Sequence, residues 1–176
     1  MMRGRLLWAI LVILGAMIAP IGGEARARPF EEGMAAAQQG DFATALRIWE
    51  PLANRGHPNA QFNLGQMYAR GDGVPQDFAK AIWWYRRVAD QGFPEAQFRL
   101  GVLFERGFGV PTAPLCAYMW YNLAAGGGWQ PAAGRRDSLA TTMTAGQIRW
   151  AQKMAREFSS DYAFCPDTRD AAWIGF

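Results

Sequence analysis

Two consecutive segments of equal length, residues 60–95 and 96–131, align without a gap and carry the same short motifs. Each contains Ala-Gln-Phe, Leu-Gly, Arg-Gly, Gly-Val-Pro and Trp-Tyr, in the same order and at the same spacing. A segment that recurs in this way is one structural unit that packs mainly against its neighbours in the chain. An array of such units forms an extended surface, so we expect the function to lie on a surface rather than in a deep pocket.

Residues 1–27 have the three parts of a secretory signal peptide. Basic residues come first, an apolar run follows over residues 6–18, and small residues stand at Ala25 and Ala27. We expect cleavage after Ala27 and export to the periplasm or, as an alternative, to the exterior of the cell. The other interpretation of the run is a transmembrane anchor, but spanning a bilayer takes about 20 apolar residues and this run is shorter. We therefore expect no stable membrane anchor after cleavage.

The composition is that of a folded domain with little net charge. Of the 176 residues, 51% are hydrophobic and 19% are charged, which suits one globular domain. The net charge of +3 comes largely from the predicted signal peptide, so the mature chain is nearly neutral. Because binding to DNA or RNA needs a clustered basic face, we expect no nucleic-acid partner.

Cys116 and Cys165 are the two cysteines of the chain. The compartments reached by export are oxidising, so we expect these residues to form a disulfide that ties the C-terminal tail to the repeats. The alternatives are two free thiols, or a bond from one cysteine to another chain.

Each unit is predicted to contain two helices joined by a loop. Leu64 and Gly65 belong to a set of apolar and small residues at helical spacing, which predicts a first helix, helix A. Two glycines and a proline over residues 70–75 predict the end of that helix and a loop. Asp77 is a favourable N-terminal residue for a second helix, helix B, which carries Trp84. The unit is therefore predicted to be a helical hairpin that buries Trp84.

The combined pattern, Ala-x-x-x-Leu-Gly-x-x-Tyr-x-x-Gly-x-Gly-Val-Pro followed by Ala-x-x-Trp-Tyr-x-x-x-Ala, resembles the Sel-one-like repeat (SLR). The SLR is a relative of the tetratricopeptide repeat (TPR) with a longer loop between its helices. The resemblance implies an all-α fold, a short α-solenoid of TPR-like/SLR helical hairpins that forms a right-handed superhelix. The expected parts are units over about 28–59, 60–95 and 96–131, C-terminal capping helices over 132–158 and a C-terminal tail over 159–176.

The first unit departs from the pattern in two ways. Its loop is shorter, so it is closer to a plain TPR hairpin. Pro51 lies in the middle of its second helix, which predicts that this helix is kinked or shortened because proline lacks the N–H of the helical hydrogen bond.

The chain carries no motif that points to catalysis, a metal or a cofactor. The single histidine, His57, lies in the turn between two units, and we expect it to be a solvated linker residue. The serines lack a Gly-x-Ser-x-Gly context, and the Gly-x-Gly pairs at 71–73 and 107–109 lack the following Lys-Ser or Lys-Thr of a phosphate loop. We therefore predict a protein that is not an enzyme and uses no metal or cofactor.

The resemblance also implies where a protein or peptide partner binds. In such solenoids helix A lines the concave side, and the side chains between its core positions are offered to the partner. We expect Asn63 and Arg99 to hydrogen-bond the backbone or a carboxylate of the partner, and Phe62 and Phe98 either to form an apolar floor or to pack between units. The candidate partner-binding residues of this concave groove are Asn59, Phe62, Asn63, Gln66, Arg70, Glu95, Phe98, Arg99, Val102, Glu105 and Arg106. The first unit adds Phe30, Glu31, Met34 and Gln38.

The leading functional hypothesis is a non-catalytic scaffold or adaptor that is exported to the periplasm and binds a partner through this groove. A hydrolase acting on cell-wall peptides or β-lactams is an alternative, because that activity is attributed to cysteine-rich members of the family. Those members carry a cysteine pair in each repeat, whereas this chain has one pair in total. A secreted factor that engages a host or another cell is the third hypothesis.

Overall fold

The computed structural model describes residues 29–158, which form eight α-helices and no strand. The predicted signal peptide and the C-terminal tail lie outside the described residues. The all-α solenoid predicted from the sequence is confirmed. The helices are α1 (Pro29–Gln38), α2 (Phe42–Asn54), α3 (Pro58–Arg70), α4 (Phe78–Ala89), α5 (Pro94–Arg106), α6 (Pro114–Gly126), α7 (Gln130–Ala140) and α8 (Ala145–Arg156).

Local sequence signals set the ends of the helices. The Asp77 carboxylate accepts a hydrogen bond from the Lys80 backbone N–H at 2.9 Å, which satisfies one of the free donors at the start of α4. Gly71 and Gly107 end α3 and α5 in the left-handed conformation, with φ values of 80° and 70°. The helices predicted from the glycines, prolines and aspartates of the repeat therefore begin and end close to those residues.

Pro51 does not shorten the helix that contains it. Helix α2 has 13 residues, the same length as α3 and α5, so the expected shortening is wrong. The missing N–H of Pro51 deprives the carbonyl of Arg47 of its helical donor, but both residues are exposed. A carbonyl on an exposed face can accept from solvent instead, so the loss there does not end the helix.

Neighbouring helices in sequence pack together along the array. Helices α1 and α2, α3 and α4, and α5 and α6 form three hairpins, and each hairpin packs on the next through α2 with α3 and α4 with α5. The last two helices, α7 and α8, both pack on α6. The capping helices expected over 132–158, like the boundaries of the units, stay a prediction.

A glycine of helix A faces an aromatic ring of helix B in each hairpin. A Cβ added to Gly65 would lie 2.7 Å from the Tyr85 ring, and one added to Gly101 would lie 2.5 Å from the Tyr121 ring. In the first hairpin a Cβ on Gly33 would overlap the Trp49 side chain. The Leu-Gly and Trp-Tyr motifs recur together because the absence of a side chain on one helix makes room for the ring on the other.

A buried glutamine joins each unit to the one before it. The side-chain amide of Gln61 donates to the Ala53 carbonyl at 2.9 Å, and Gln97 donates to the Ala89 carbonyl at 3.2 Å. Both glutamines are buried, and both acceptors lie at the end of the preceding helix B. The Gln of the Ala-Gln-Phe motif thus satisfies a terminal helix carbonyl and fixes the register between units.

Trp84 is buried, as predicted, with 7% of its surface exposed. It packs in a cluster with Trp49, Leu64 and Met67, which belong to α2 and α3. Trp84 therefore contributes to the packing between the first and second hairpins as well as to the packing within its own hairpin.

Cys116 is buried on α6. Its expected partner, Cys165, lies outside the described residues, so the disulfide stays a prediction that thiol labelling before and after reduction tests. Within residues 29–158 no helix is long and apolar enough to cross a membrane.

Candidate functional site

Two neighbouring cavities open along the surface that the A helices form. The first has a volume of about 290 Å³ and lies among α1, α2 and α3. The second has a volume of about 170 Å³ and lies among α3, α4 and α5. Gln66 and Arg70 line both cavities, so the two form one continuous feature, which we call the A groove.

The two cavities are the same site in successive units. The lining residues that carry this correspondence are Met34, Gln38, Trp49, Asn63, Gln66 and Met67 in the first cavity and Gln66, Arg70, Tyr85, Arg99, Val102 and Leu103, in the same order, in the second. The first is apolar and neutral at most of these positions, whereas the second replaces Gln38 with Arg70, Trp49 with Tyr85 and Asn63 with Arg99. The geometry repeats while the chemistry changes from one unit to the next.

The second cavity holds a guanidinium with an unused donor. Arg99 donates through Nη2 to the Glu95 carboxylate at 3.0 Å, one helical turn away on α5. Its Nε is buried and has no hydrogen-bond partner in the part of the chain that the structure describes. The pair with Glu95 orients the guanidinium, and Nε remains free to donate to a ligand.

Tyr85 adds a neutral hydroxyl to the second cavity. Its side chain is 2% exposed, and burial raises the pKa of the phenol, partly offset by the positive charges of Arg99 and Arg70. The hydroxyl is therefore protonated and available as a donor. It makes no hydrogen bond to any residue between 29 and 158.

The equivalent position in the third unit is already filled by a carboxylate of the chain itself. Tyr121 donates its hydroxyl to Glu105 Oε2 at 2.5 Å, and Arg135 Nη1 lies 3.4 Å from the same oxygen. Burial and this hydrogen bond raise the pKa of Tyr121. Tyr121 and Arg135 stand one repeat after Tyr85 and Arg99, so Glu105 occupies the place that remains open in the second cavity.

Most of the residues that were predicted to bind the partner lie on or beside the A groove. Asn63 lines the first cavity and donates to Met34 Sδ at 3.3 Å, while Gln66, Arg70, Arg99 and Val102 line the second. Asn59, Arg70 and Arg106 are exposed, and Arg106 lies 5.9 Å from the centre of the Phe108 ring. Glu95 and Glu105 are held by the ion pairs described above. Whether these residues bind a partner stays a prediction.

Phe62 and Phe98 pack inside the array. Their rings lie 5.5 Å from Tyr85 and 5.6 Å from Tyr121, and both are half-buried. Phe98 also lies 6.4 Å from Trp129, which precedes α7. These contacts fit the interpretation that both rings pack between units. Because both side chains are only half-buried, their exposed edges can also form part of the groove surface.

His57 is a structural residue rather than a solvated linker. Its Nδ1 accepts from the Ala60 backbone N–H at 3.3 Å at the start of α3, and its ring stacks 5.0 Å from Phe30. The expectation from the sequence was wrong because the turn between the two units is also the start of α3. The backbone N–H groups there have no helical acceptor, and the half-buried His57 side chain accepts from one of them.

Tyr85 and Trp49 are the aromatic helix B residues of the groove that the sequence analysis missed as candidates. The other missed lining residues are Ala37, Phe42, Met67, Ala69, Asp72 and Leu103. Tyr85 and Trp49 both belong to the second helix of a hairpin, whereas the candidates were taken from helix A. The sequence did contain a signal for their position in the unit. The tyrosine of the Trp-Tyr motif places a hydroxyl there in two units, and Trp49 stands at the same position in the first unit. A buried tyrosine normally finds a partner for its hydroxyl, so a tyrosine in the core register already indicates a polar neighbour.

The eight described helices and the recurring motifs define a helical-repeat protein. The Sel1 repeat model matches the chain twice, over residues 58–93 and 94–129. These ranges begin at the first residues of α3 and α5. The chain belongs to the Sel1 repeat family, as the resemblance to the SLR predicted.

The solved structures similar to this chain include the following two proteins. One is a Sel1 repeat protein from Oxalobacter formigenes, with 36% identity, a TM-score of 0.58, and coverage of 62% of this chain and 86% of that one. The other is c5321, a protective antigen of uropathogenic Escherichia coli strains with an SLR fold, with 26% identity and a TM-score of 0.69. That match covers 73% of this chain but only 28% of the antigen. The search of curated proteins finds no significant match.

Membership of the family gives a general functional class. Sel1 repeat proteins are generally protein-interaction scaffolds, and they are typically non-catalytic. Within residues 29–158 no group of three or more His, Cys, Asp or Glu side chains is placed to hold a metal ion.

Proposed function

We propose that this protein is a non-catalytic scaffold or adaptor of the periplasm that binds a protein partner through the A groove. The observation that carries the proposal is the pair of adjoining cavities at the same place in successive units. A peptide that lies along the A helices meets both cavities in turn, because Gln66 and Arg70 belong to each. A regular array that presents different side chains at equivalent points suits recognition of an extended partner.

The side chains of the groove favour binding over chemistry. Arg99 Nε, the Tyr85 hydroxyl and the Asn63 amide are hydrogen-bond donors, and a general base or nucleophile with a hydrogen-bonded activating partner is not among the residues that line the two cavities. Cys116 stands where the preceding unit has Lys80, so the cysteine pattern of the cysteine-rich hydrolases is not repeated.

The binding proposal predicts a selective effect of two substitutions. Asn63→Ala combined with Arg99→Ala is expected to weaken the affinity for a partner isolated by crosslinking in intact cells by at least about ten-fold, since each lost charge-assisted hydrogen bond is worth about 1.5–3 kcal/mol. Arg87→Ala is the control, because Arg87 is an exposed arginine on α4 that stacks 4.6 Å from the Trp83 ring. Calorimetry on the purified pair measures both affinities. Full affinity in the double variant, with unchanged helicity, rejects the A groove as the binding surface.

Export is part of the proposal and has its own test. The apolar run over residues 6–18 and the small residues at Ala25 and Ala27 support cleavage after Ala27. We expect the intact mass of the protein from the periplasmic fraction to correspond to a chain that begins at Arg28. A full-length chain in the inner-membrane fraction contradicts export with cleavage.

A second candidate, action outside the cell, takes its support from one of the similar structures. The antigen c5321 is described as protective, which indicates exposure of that protein to a host. If this chain acts in the same place, the form that begins at Arg28 is expected in the growth medium rather than in the periplasm.

A further inference from the structure

We propose that the second cavity of the A groove binds a carboxylate of the partner, held by the Tyr85 hydroxyl and the Arg99 and Arg70 guanidinium groups. The ligand is a peptide that carries this carboxylate on an acidic side chain or at its C-terminus, and the inference rests on the proposed function in that the peptide belongs to a protein partner. It goes further by assigning the chemistry that the partner presents and the place where that group binds.

The third unit shows what this site accepts. There the Glu105 carboxylate receives the Tyr121 hydroxyl at 2.5 Å and lies 3.4 Å from Arg135 Nη1. One unit earlier the tyrosine and the arginine are present as Tyr85 and Arg99, but the residue equivalent to Glu105 is Ala69, which lines the second cavity. The chain therefore keeps the two donors and omits the acceptor.

The two donors of the second cavity have no acceptor in the described part of the chain. Arg99 Nε is buried without an acceptor in the described part of the chain, and the Tyr85 hydroxyl, on a side chain that is 98% buried, has none between residues 29 and 158. Nearly all buried polar groups in proteins are hydrogen-bonded, so the unpaired Nε of Arg99 indicates a missing acceptor, and the Tyr85 hydroxyl, whose oxygen is not fully buried, is a second donor on the same cavity. A carboxylate is acceptor-only and has two oxygens, one for each donor.

Charge and size favour the same ligand. Arg70 lines the cavity and forms no ion pair with another described residue. The ion pair with Glu95 is the only one that Arg99 forms among the described residues. The charges of Arg99 and Arg70 both act on Tyr85, so an anion bound at its hydroxyl meets two cations. A volume of about 170 Å³ accommodates a carboxylate-bearing side chain.

The first cavity does not share this preference. At the positions of Arg70, Tyr85 and Arg99 it has Gln38, Trp49 and Asn63. Arg70 also lines the first cavity, but Asp72 lines it too and adds a carboxylate, which disfavours a second one. A partner peptide is therefore expected to place its carboxylate in the second cavity and an apolar or neutral side chain in the first.

The site can be tested without a ligand by supplying the missing carboxylate within the chain. Ala69→Glu copies the arrangement of the third unit, whereas Ala69→Gln has the same size without the charge. We expect Ala69→Glu to melt about 3 °C or more above Ala69→Gln, and the difference to disappear in a Tyr85→Phe background. Equal melting temperatures for the two variants, with Tyr85 intact, overturn the proposal.

Binding in trans is tested with synthetic peptides on the mature protein. The side-chain arm compares Ac-Ala-Ala-Glu-Ala-Ala-NH2 with its Gln analogue, and the terminal arm compares Ac-Ala-Ala-Ala with a free and an amidated C-terminus. NMR follows the Nε–Hε signal of Arg99, identified by its absence in Arg99→Lys. We expect this signal to move with at least one carboxylate peptide and with neither neutral analogue, and Tyr85→Phe to weaken that binding about ten-fold.

The arm that responds identifies the source of the carboxylate as an acidic side chain or a chain terminus. No movement at millimolar peptide, or equal movement with the neutral analogues, overturns the proposal. The proposed function is judged separately, by whether the partner still contacts the A groove at Gln66. A contact at Gln66 without carboxylate binding leaves the scaffold function in place and rejects only this ligand chemistry.

Discussion

Replacing Trp84 by alanine is expected to lower the free energy of unfolding by about 3–5 kcal/mol, the usual range for deleting a buried large aromatic side chain. Trp84 is 7% exposed and packs with Trp49 and Leu64 between the first and second hairpins. Its loss removes contacts within the second unit and across the junction to the first. Because each unit of a solenoid is stabilised mainly by its neighbours, the first hairpin is expected to open before the rest.

The neighbouring tryptophan is the matched control for this prediction. Trp83 lies edge-on to Trp84 with ring centres 4.5 Å apart, but it is only half-buried. Trp83→Ala is therefore expected to cost clearly less than Trp84→Ala. Urea denaturation followed by circular dichroism measures both, and a cost below about 1 kcal/mol for Trp84→Ala means that the repeat register is wrong.

Replacing Gly101 by alanine is expected to destabilise the protein by about 1–3 kcal/mol, although alanine is the better helix former by about 1 kcal/mol. The added Cβ would lie 2.5 Å from the Tyr121 ring. That ring is fully buried, and its hydroxyl is fixed by the hydrogen bond to Glu105, so it cannot move aside without losing that bond. The steric effect therefore exceeds the gain in helix propensity.

Gly134 provides the opposite case on α7. A Cβ added to Gly134 would lie in open space. Apart from near neighbours on its own helix, no described atom is within 4 Å of it. Gly134→Ala is thus expected to be neutral or to stabilise the protein by up to about 1 kcal/mol. Thermal unfolding of the two variants checks the sign of each effect, and a Gly101→Ala variant at least as stable as the parent shows that the hairpin helices are farther apart than described.

The fold was predictable from the sequence because its signals are local and occur twice. Helical periodicity, the Asp77 cap and Gly71 define each hairpin, and the duplication removes the ambiguity that a single copy leaves. The shortening predicted at Pro51 was wrong because the effect of a helix proline depends on whether the carbonyl it leaves unpaired is exposed. That exposure is a property of the packed structure and not of the local sequence.

The candidate site was predictable only in part. Its register along helix A followed from the repeat, so Asn63, Gln66, Arg70 and Arg99 were found. Tyr85 was not, because a tyrosine of helix B in a core register indicates a polar neighbour but not whether that neighbour belongs to the chain or to a ligand in a cavity. The comparison of Ala69 with Glu105 became meaningful only when the structure showed which donors the Glu105 carboxylate receives.

The central claim is that a partner binds along the A groove, and site-specific photo-crosslinking in intact cells tests it most directly. A photoreactive amino acid is placed at Gln66, which lines both cavities, and separately at Arg87, which is exposed on α4. The account predicts a discrete crosslinked product from position 66 that is lost when Asn63→Ala and Arg99→Ala are added, and no such product from position 87. A product from position 87 alone, or a product from position 66 that survives the two substitutions, contradicts it.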